Sequence, residues 1–187
     1  MKSVTERVYL TDFILACLAY CLFVGSDSIV KYLGSDYSIV QIIFVNSWFA
    51  LIPIVLYTQT LNGWRKLKKA NFTVHFFRAL TMALALFFGY TGFYRLPMVT
   101  MYSIVFLIPL MITIGSVFFL GEVVRWKRFT AILIGFIGAI ISINPFGTEY
   151  DNYIFLALFC PIFASASYLI VRKYGFKENL FSFLIYG

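Results

Sequence analysis

The 187-residue chain is 61% hydrophobic, 20% aromatic and only 12% charged, yet it carries a net charge of +7. A soluble domain has roughly 25% charged residues and about half apolar ones, so a water-soluble fold is excluded. Nucleic-acid binding is excluded as well, because it needs basic groups gathered on a folded, water-facing surface, and no loop here is long enough to build one.

Crossing the bilayer core takes about 20 apolar residues. Six stretches meet or approach that length: about Leu10–Val30, Ile39–Thr58, Phe76–Leu96, Val99–Leu120, Phe129–Ile143 and Tyr153–Val171. The first has no A-x-A-like cleavage site and is followed by Lys31, so it reads as a retained span rather than a signal peptide. Asp27 lies deep within it, inside Gly25-Ser26-Asp27-Ser28. An ionised group at the bilayer centre costs at least ~2.5 kcal/mol, so such an acid faces a cavity, a substrate or a partner. The available partner is Lys31, four residues on with the acid first, the favourable order. Both readings stand. Cys17 and Cys21 share a helix face but have no nearby histidine, and Cys160 also lies in an apolar run, so all three read as small packing residues.

In the second stretch Asn46 must find a hydrogen-bond partner, either on another helix or on a substrate. The third carries small residues Thr81, Ala85, Gly89 and Gly92 on one face, and the fifth carries Ala131, Gly135, Gly138 and Ser142. Faces of this kind let helix backbones approach, which predicts packing surfaces at Gly89, Gly92, Gly135 and Gly138. The other face of the third holds Phe87, Tyr90 and Tyr94, and the fourth opens with Tyr102. These aromatics either line a pocket for a cationic or amphipathic solute or belong to an interfacial belt. Pro53, Pro109 and Pro161 are expected to kink the second, fourth and sixth helices. The short fifth stretch is expected to be anchored by Trp126 and Phe146 at the interfaces, and Glu122 is expected to pair with Arg125 at the surface.

Thirteen of the fifteen Lys and Arg residues occupy alternate loops or loop edges: Lys2 and Arg7; Arg65, Lys66, Lys68, Lys69 and Arg78; Arg125, Lys127 and Arg128; Arg172, Lys173 and Lys177. The intervening loops hold Lys31 and Arg95 beside Asp36, Glu149 and Asp151. This is the positive-inside pattern of a multi-pass membrane protein whose N-terminus is cytoplasmic, here expected in the cell inner membrane. The fold class is an all-α polytopic helical bundle in a lipid bilayer.

A shift of 141 residues lays Val30-Lys31 over Val171-Arg172 and Gly34 over Gly175, each at the end of a span. Five helices then form one repeat (10–146), and 150–187 supply a sixth helix and the start of a second, inverted copy, as in many secondary transporters. The apolar run opening at Leu180 stops at Gly187, so the chain reads as an interrupted protein. There is no phosphate loop, zinc-ligand cluster, HExxH or intramembrane Ser-His pairing. No cofactor or metal is expected, and no enzymatic activity.

The run from Pro109 to Gly121-Glu122, then Trp126, the Gly135-x-x-Gly138 helix and Asn144-Pro145, resembles the EamA domain of the drug/metabolite transporter superfamily. Arg78-Ala79-Leu80 and Tyr94-Arg95-Leu96-Pro97 fit the same resemblance. It implies two inverted five-helix repeats, alternating access and a small-molecule solute. Asp27-x-x-x-Lys31-Tyr32-Leu33-Gly34 with Arg78-Ala79-Leu80 is further similar to the branch of S-adenosylmethionine uptake transporters, in which Asp27 would face a sulfonium and Tyr90 or Tyr102 an adenine. Substrate contacts are therefore expected at Asp27, Asn46, Tyr90, Tyr94 and Tyr102, for S-adenosylmethionine or an amino-acid-like metabolite. The competing expectations are a half-size homodimeric exporter resembling the small multidrug resistance proteins, and a truncated, non-transporting membrane remnant or scaffold.

Overall fold

A computed structural model of the chain describes residues 2–60, 71–123, 125–143, 152–176 and 180–186. All the regular structure among them is helical: α1 (Lys2–Leu33), α2 (Ile39–Thr60), α3 (Phe72–Arg95), α4 (Met98–Val105), α5 (Leu107–Leu120), α6 (Trp126–Ile143), α7 (Tyr153–Ala157), α8 (Phe159–Tyr174) and α9 (Leu180–Ile185). In hydrocarbon every backbone N–H and C=O must be satisfied within the segment, which makes helices the outcome for stretches this apolar. Five spans are long and apolar enough to cross a membrane: Asp12–Leu33, Ile39–Thr60, Phe72–Arg95, Met98–Leu120 and Tyr153–Tyr174. The fifth predicted stretch forms the shorter apolar segment Phe129–Ile141 within α6. This is an all-α, multi-pass membrane protein.

Proline sets the breaks in two spans and leaves the third intact. Phe106 interrupts α4 and α5, and Leu158 interrupts α7 and α8, each three residues before a proline. The proline ring clashes with the carbonyl four residues back and removes one helical donor, so the backbone gives way in that turn. Pro53, by contrast, lies inside an uninterrupted α2.

α3 is the hub, packing on α8, α1, α7 and α2, while α5 packs on α8 and α6. The buried core gathers Phe93, Leu96, Met101, Ile104, Ala157 and Cys160 where α3, α4, α7 and α8 meet. A smaller cluster of Val30, Ile42 and Tyr90 joins α1, α2 and α3. Most other large apolar side chains face outward, including Ile134, Ile137 and Ile141 of α6 and Phe44, Trp48 and Phe49 of α2. That surface suits lipid, against which apolar groups incur no hydration cost.

One terminal detail differs from the sequence-based expectation. Glu122 pairs with Arg172 at the end of α8, Nη2 to Oε2 2.8 Å, rather than with Arg125. The Gly121 cap is responsible: its φ of 68° turns the chain after α5, and the Glu122 N–H bonds back to the Ser116 carbonyl. Arg78 lies inside α3, within the predicted third stretch, and its Nη1 donates to the Phe183 carbonyl of α9 at 2.7 Å. The basic run Arg65–Lys69, together with Asn144-Pro145, Phe146, Glu149, Asp151 and Lys177, lies outside the described residues.

Candidate functional site

The polar residues of the spans converge where α1, α2, α3 and α4 approach, in the half of the bundle near the α1–α2 turn. The Tyr102 hydroxyl donates to Oδ2 of Asp27 at 2.9 Å. The Asn46 Nδ2 donates to the Tyr90 hydroxyl at 2.9 Å. Tyr90 is buried, whereas Asp27 and Tyr102 are half-buried. The Tyr102 ring is fixed edge-to-face on Phe93, with centroids 5.2 Å apart. Four of the five predicted contact residues are thus brought together.

Tyr94 is the exception. One turn beyond Tyr90 on α3, its ring lies against Gly34 of the α1–α2 turn, and the Arg95 guanidinium sits 4.7 Å from its centroid. Arg95 also lies 5.0 Å from the Tyr153 ring, so this group ties the α3–α4 turn to α7. Phe87, 39% exposed, contacts its neighbour Phe88 edge-to-face at 5.5 Å.

Lys31 decides the electrostatics. It does not neutralise Asp27: its Nζ donates to the Leu96 carbonyl at 2.8 Å and the Phe93 carbonyl at 3.3 Å. Those carbonyls are the unsatisfied groups at the negative end of α3, a favourable seat for an ammonium. Asp27 therefore has no cationic partner among the described residues, and Tyr102 is the donor that its carboxylate holds. Lys31→Met is expected to lower stability by about 1.5–3 kcal/mol, the range for hydrogen bonds to charged groups. Thermal unfolding of the detergent-solubilised chain would show it, and an unchanged midpoint would mean that the clamp is idle.

Beside this cluster, a groove of about 390 Å³ separates α1 from α2. Ile29, Val30, Leu33, Ile42, Val45 and Phe49 make its walls apolar, and Ser26, Gln41, Asn46 and Tyr37 supply polar groups. The apolar wall with a few convergent polar atoms is the usual make-up of a small-molecule site. Ser26 and Asp27 are sequence neighbours, but helix geometry turns them about 100° apart. Ser26 thereby faces the groove and the Tyr90 hydroxyl, while Asp27 faces Tyr102. Ser26 is the residue that sequence reasoning passed over, although it stands next to the intramembrane acid. Among the described residues there is no group of three or more His, Cys, Asp or Glu able to hold a metal.

The small-residue stripes divide. A Cβ on Gly89 would meet the Cys160 sulfur at 3.2 Å, and one on Gly92 would meet the Met101 sulfur at 2.5 Å and the Ala157 Cβ at 3.2 Å. Gly135 stands 3.6 Å from Leu110 by the same measure, and Gly138 has nothing within 4 Å. The α3 stripe is in close contact; the α6 stripe, at Gly138, is not.

A multi-pass helical bundle with a polar cluster beside an open groove fits a membrane solute carrier. The comparisons make that specific: residues 11–144 match the EamA-like transporter family, and the chain belongs to it. It is 30% identical to the S-adenosylmethionine uptake transporter of Rickettsia conorii over 97% of this chain and 61% of that protein. It is 24% identical to a riboflavin transporter of Vibrio cholerae (86% and 55%) and 21% identical to a pseudopaline exporter of Pseudomonas aeruginosa (92% and 61%). The chain thus spans about three-fifths of the length of these curated relatives. No solved structure matches it. The family and its named relatives are transporters of small molecules.

Proposed function

We propose that this chain forms the solute-binding part of a gradient-driven carrier in the cell inner membrane, N-terminus cytoplasmic, that takes up S-adenosylmethionine or a similar cationic metabolite. The observation that carries the reading is the Asp27 carboxylate, held by Tyr102 while Lys31 is occupied by the α3 carbonyls. A sulfonium is a compact, weakly hydrated cation without N–H groups, so a carboxylate flanked by tyrosine rings suits it by charge and cation–π contact. The adjoining groove offers apolar walls to the remainder of the solute, with Asn46, Gln41 and Ser26 for its polar edges. The names borne by the Rickettsia relatives support the same solute.

In this reading transport proceeds by alternating access, one repeat rocking against the other around the site. Tyr102 stands on α4, the short half-span before the break at Phe106. A change of angle at that break moves Tyr102 toward or away from Asp27 while α5 stays packed on α8. Discontinuous helices at a midplane site serve this purpose in other carriers.

The test is competition in proteoliposomes containing the full chain. Unlabelled S-adenosylmethionine is expected to block uptake of the radiolabelled compound, and S-adenosylhomocysteine, which lacks the methyl group and the charge, to block it far more weakly. Equal competition by the two would remove the charge-based reading, and absence of any saturable uptake would remove the solute.

A further inference from the structure

We propose that the opposite end of the bundle holds an ethanolamine phospholipid, in a groove between α5 and α6 crowned by the Glu122–Arg172 pair. The groove has a volume of about 350 Å³, and Pro109, Leu110, Thr113 and Ile132 line it below the two charged side chains. It shares no residue with the Asp27 cluster or with the groove beside it.

Depth, charge and position each point to this occupant. From Pro109 to Leu120 the α5 wall rises about 16 Å at 1.5 Å per residue, against roughly 15 Å of hydrocarbon in one leaflet. Glu122 stands two residues beyond the span Met98–Leu120, and Arg172 lies in the last turn of Tyr153–Tyr174, so the pair sits at headgroup level. Trp126, 73% exposed at the start of α6, lies at the same level, as interfacial tryptophans do. The Arg172 and Glu122 side chains remain 47% and 37% exposed, so each keeps an open side for a second partner.

The guanidinium offers a planar fork to a phosphate, and the carboxylate accepts from a primary ammonium. An ethanolamine headgroup supplies both within one molecule. A choline headgroup has no N–H to give Glu122, and a glycerol headgroup sets an anion against it without compensation, so both are disfavoured. Thr113 and Ser116 direct their hydroxyls to backbone carbonyls of their own helix, which leaves the groove below the pair apolar enough for an acyl chain.

The experiment purifies the full chain, places it in nanodiscs of phosphatidylethanolamine, phosphatidylcholine or phosphatidylglycerol, and reads the unfolding midpoint. Native mass spectrometry from an equal mixture of the three lipids reads retention. Phosphatidylethanolamine is expected to give the highest midpoint and several-fold greater retention. Glu122→Gln is expected to erase the discrimination against phosphatidylglycerol, and Arg172→Gln to lower retention of all three. Thr113→Leu narrows the groove without touching the ion pair, so it separates lipid loss from a folding defect: it should reduce retention while the chain still folds. Equal retention of the three lipids overturns the proposal, as does a preference that survives both Glu122→Gln and Thr113→Leu.

Discussion

Asp27→Asn is expected to reduce uptake of a sulfonium solute by about thirtyfold or more, since removing one member of a desolvated, hydrogen-bonded charge pair costs about 2 kcal/mol or more. The substitution is nearly isosteric, and the amide oxygen still accepts from Tyr102. The helix contacts that hold the site are therefore preserved while the charge is lost. A contrast sharpens the outcome. Tyr102→Phe removes the donor but leaves the carboxylate, so it should cost a smaller factor, roughly tenfold, at the low end (about 1.5 kcal/mol) of the range for a hydrogen bond to a charged group. Were Asp27 merely part of the scaffold, its replacement would lower the unfolding midpoint and reduce fluxes of charged and neutral competitors alike. Wild-type flux through Asp27→Asn, with the midpoint unchanged, would remove Asp27 from the site.

The legibility of this arrangement in the sequence follows from how loudly each residue speaks in an apolar context. The spans are legible because a run of about 20 apolar residues has few alternatives to a transmembrane helix. Asp27 and Asn46 stand out for the same reason, as polar groups where hydrocarbon offers no partner. Their partners are less legible, because they depend on which helices meet. Tyr90 and Tyr94 sit one turn apart on one face of α3, yet the first bonds Asn46 and the second packs on Gly34. Nothing local separates them; the height of the α1–α2 turn does. Lys31 is the clearest case. Spacing offers Asp27, but the structure gives it carbonyls 62 and 65 residues away, a choice set by the docking of α1 on α3. Glu122 repeats the lesson, with Arg172 arriving from the end of α8.

Gly92 and Gly138 turn the same chemical change into results of opposite sign. Each stands in a small-residue stripe, so the sequence treats them alike. In the structure a methyl on Gly92 would press on the Met101 sulfur and the Ala157 methyl, and Met101 is 0% exposed. Overpacking a filled core costs typically about 1–3 kcal/mol. A methyl on Gly138 meets nothing within 4 Å, so Gly138→Ala should recover the roughly 0.5–1 kcal/mol that glycine forfeits in a helix interior. The expected measurement is a lowered unfolding midpoint for Gly92→Ala and a raised one for Gly138→Ala in the same detergent. Transport should follow the first as well, because Met101 adjoins Tyr102 on α4 and any displacement of α4 carries the Asp27 partner with it. A Gly92→Ala chain as stable as the unmodified one would show that α3 and α4 do not approach as closely as the Met101 contact requires.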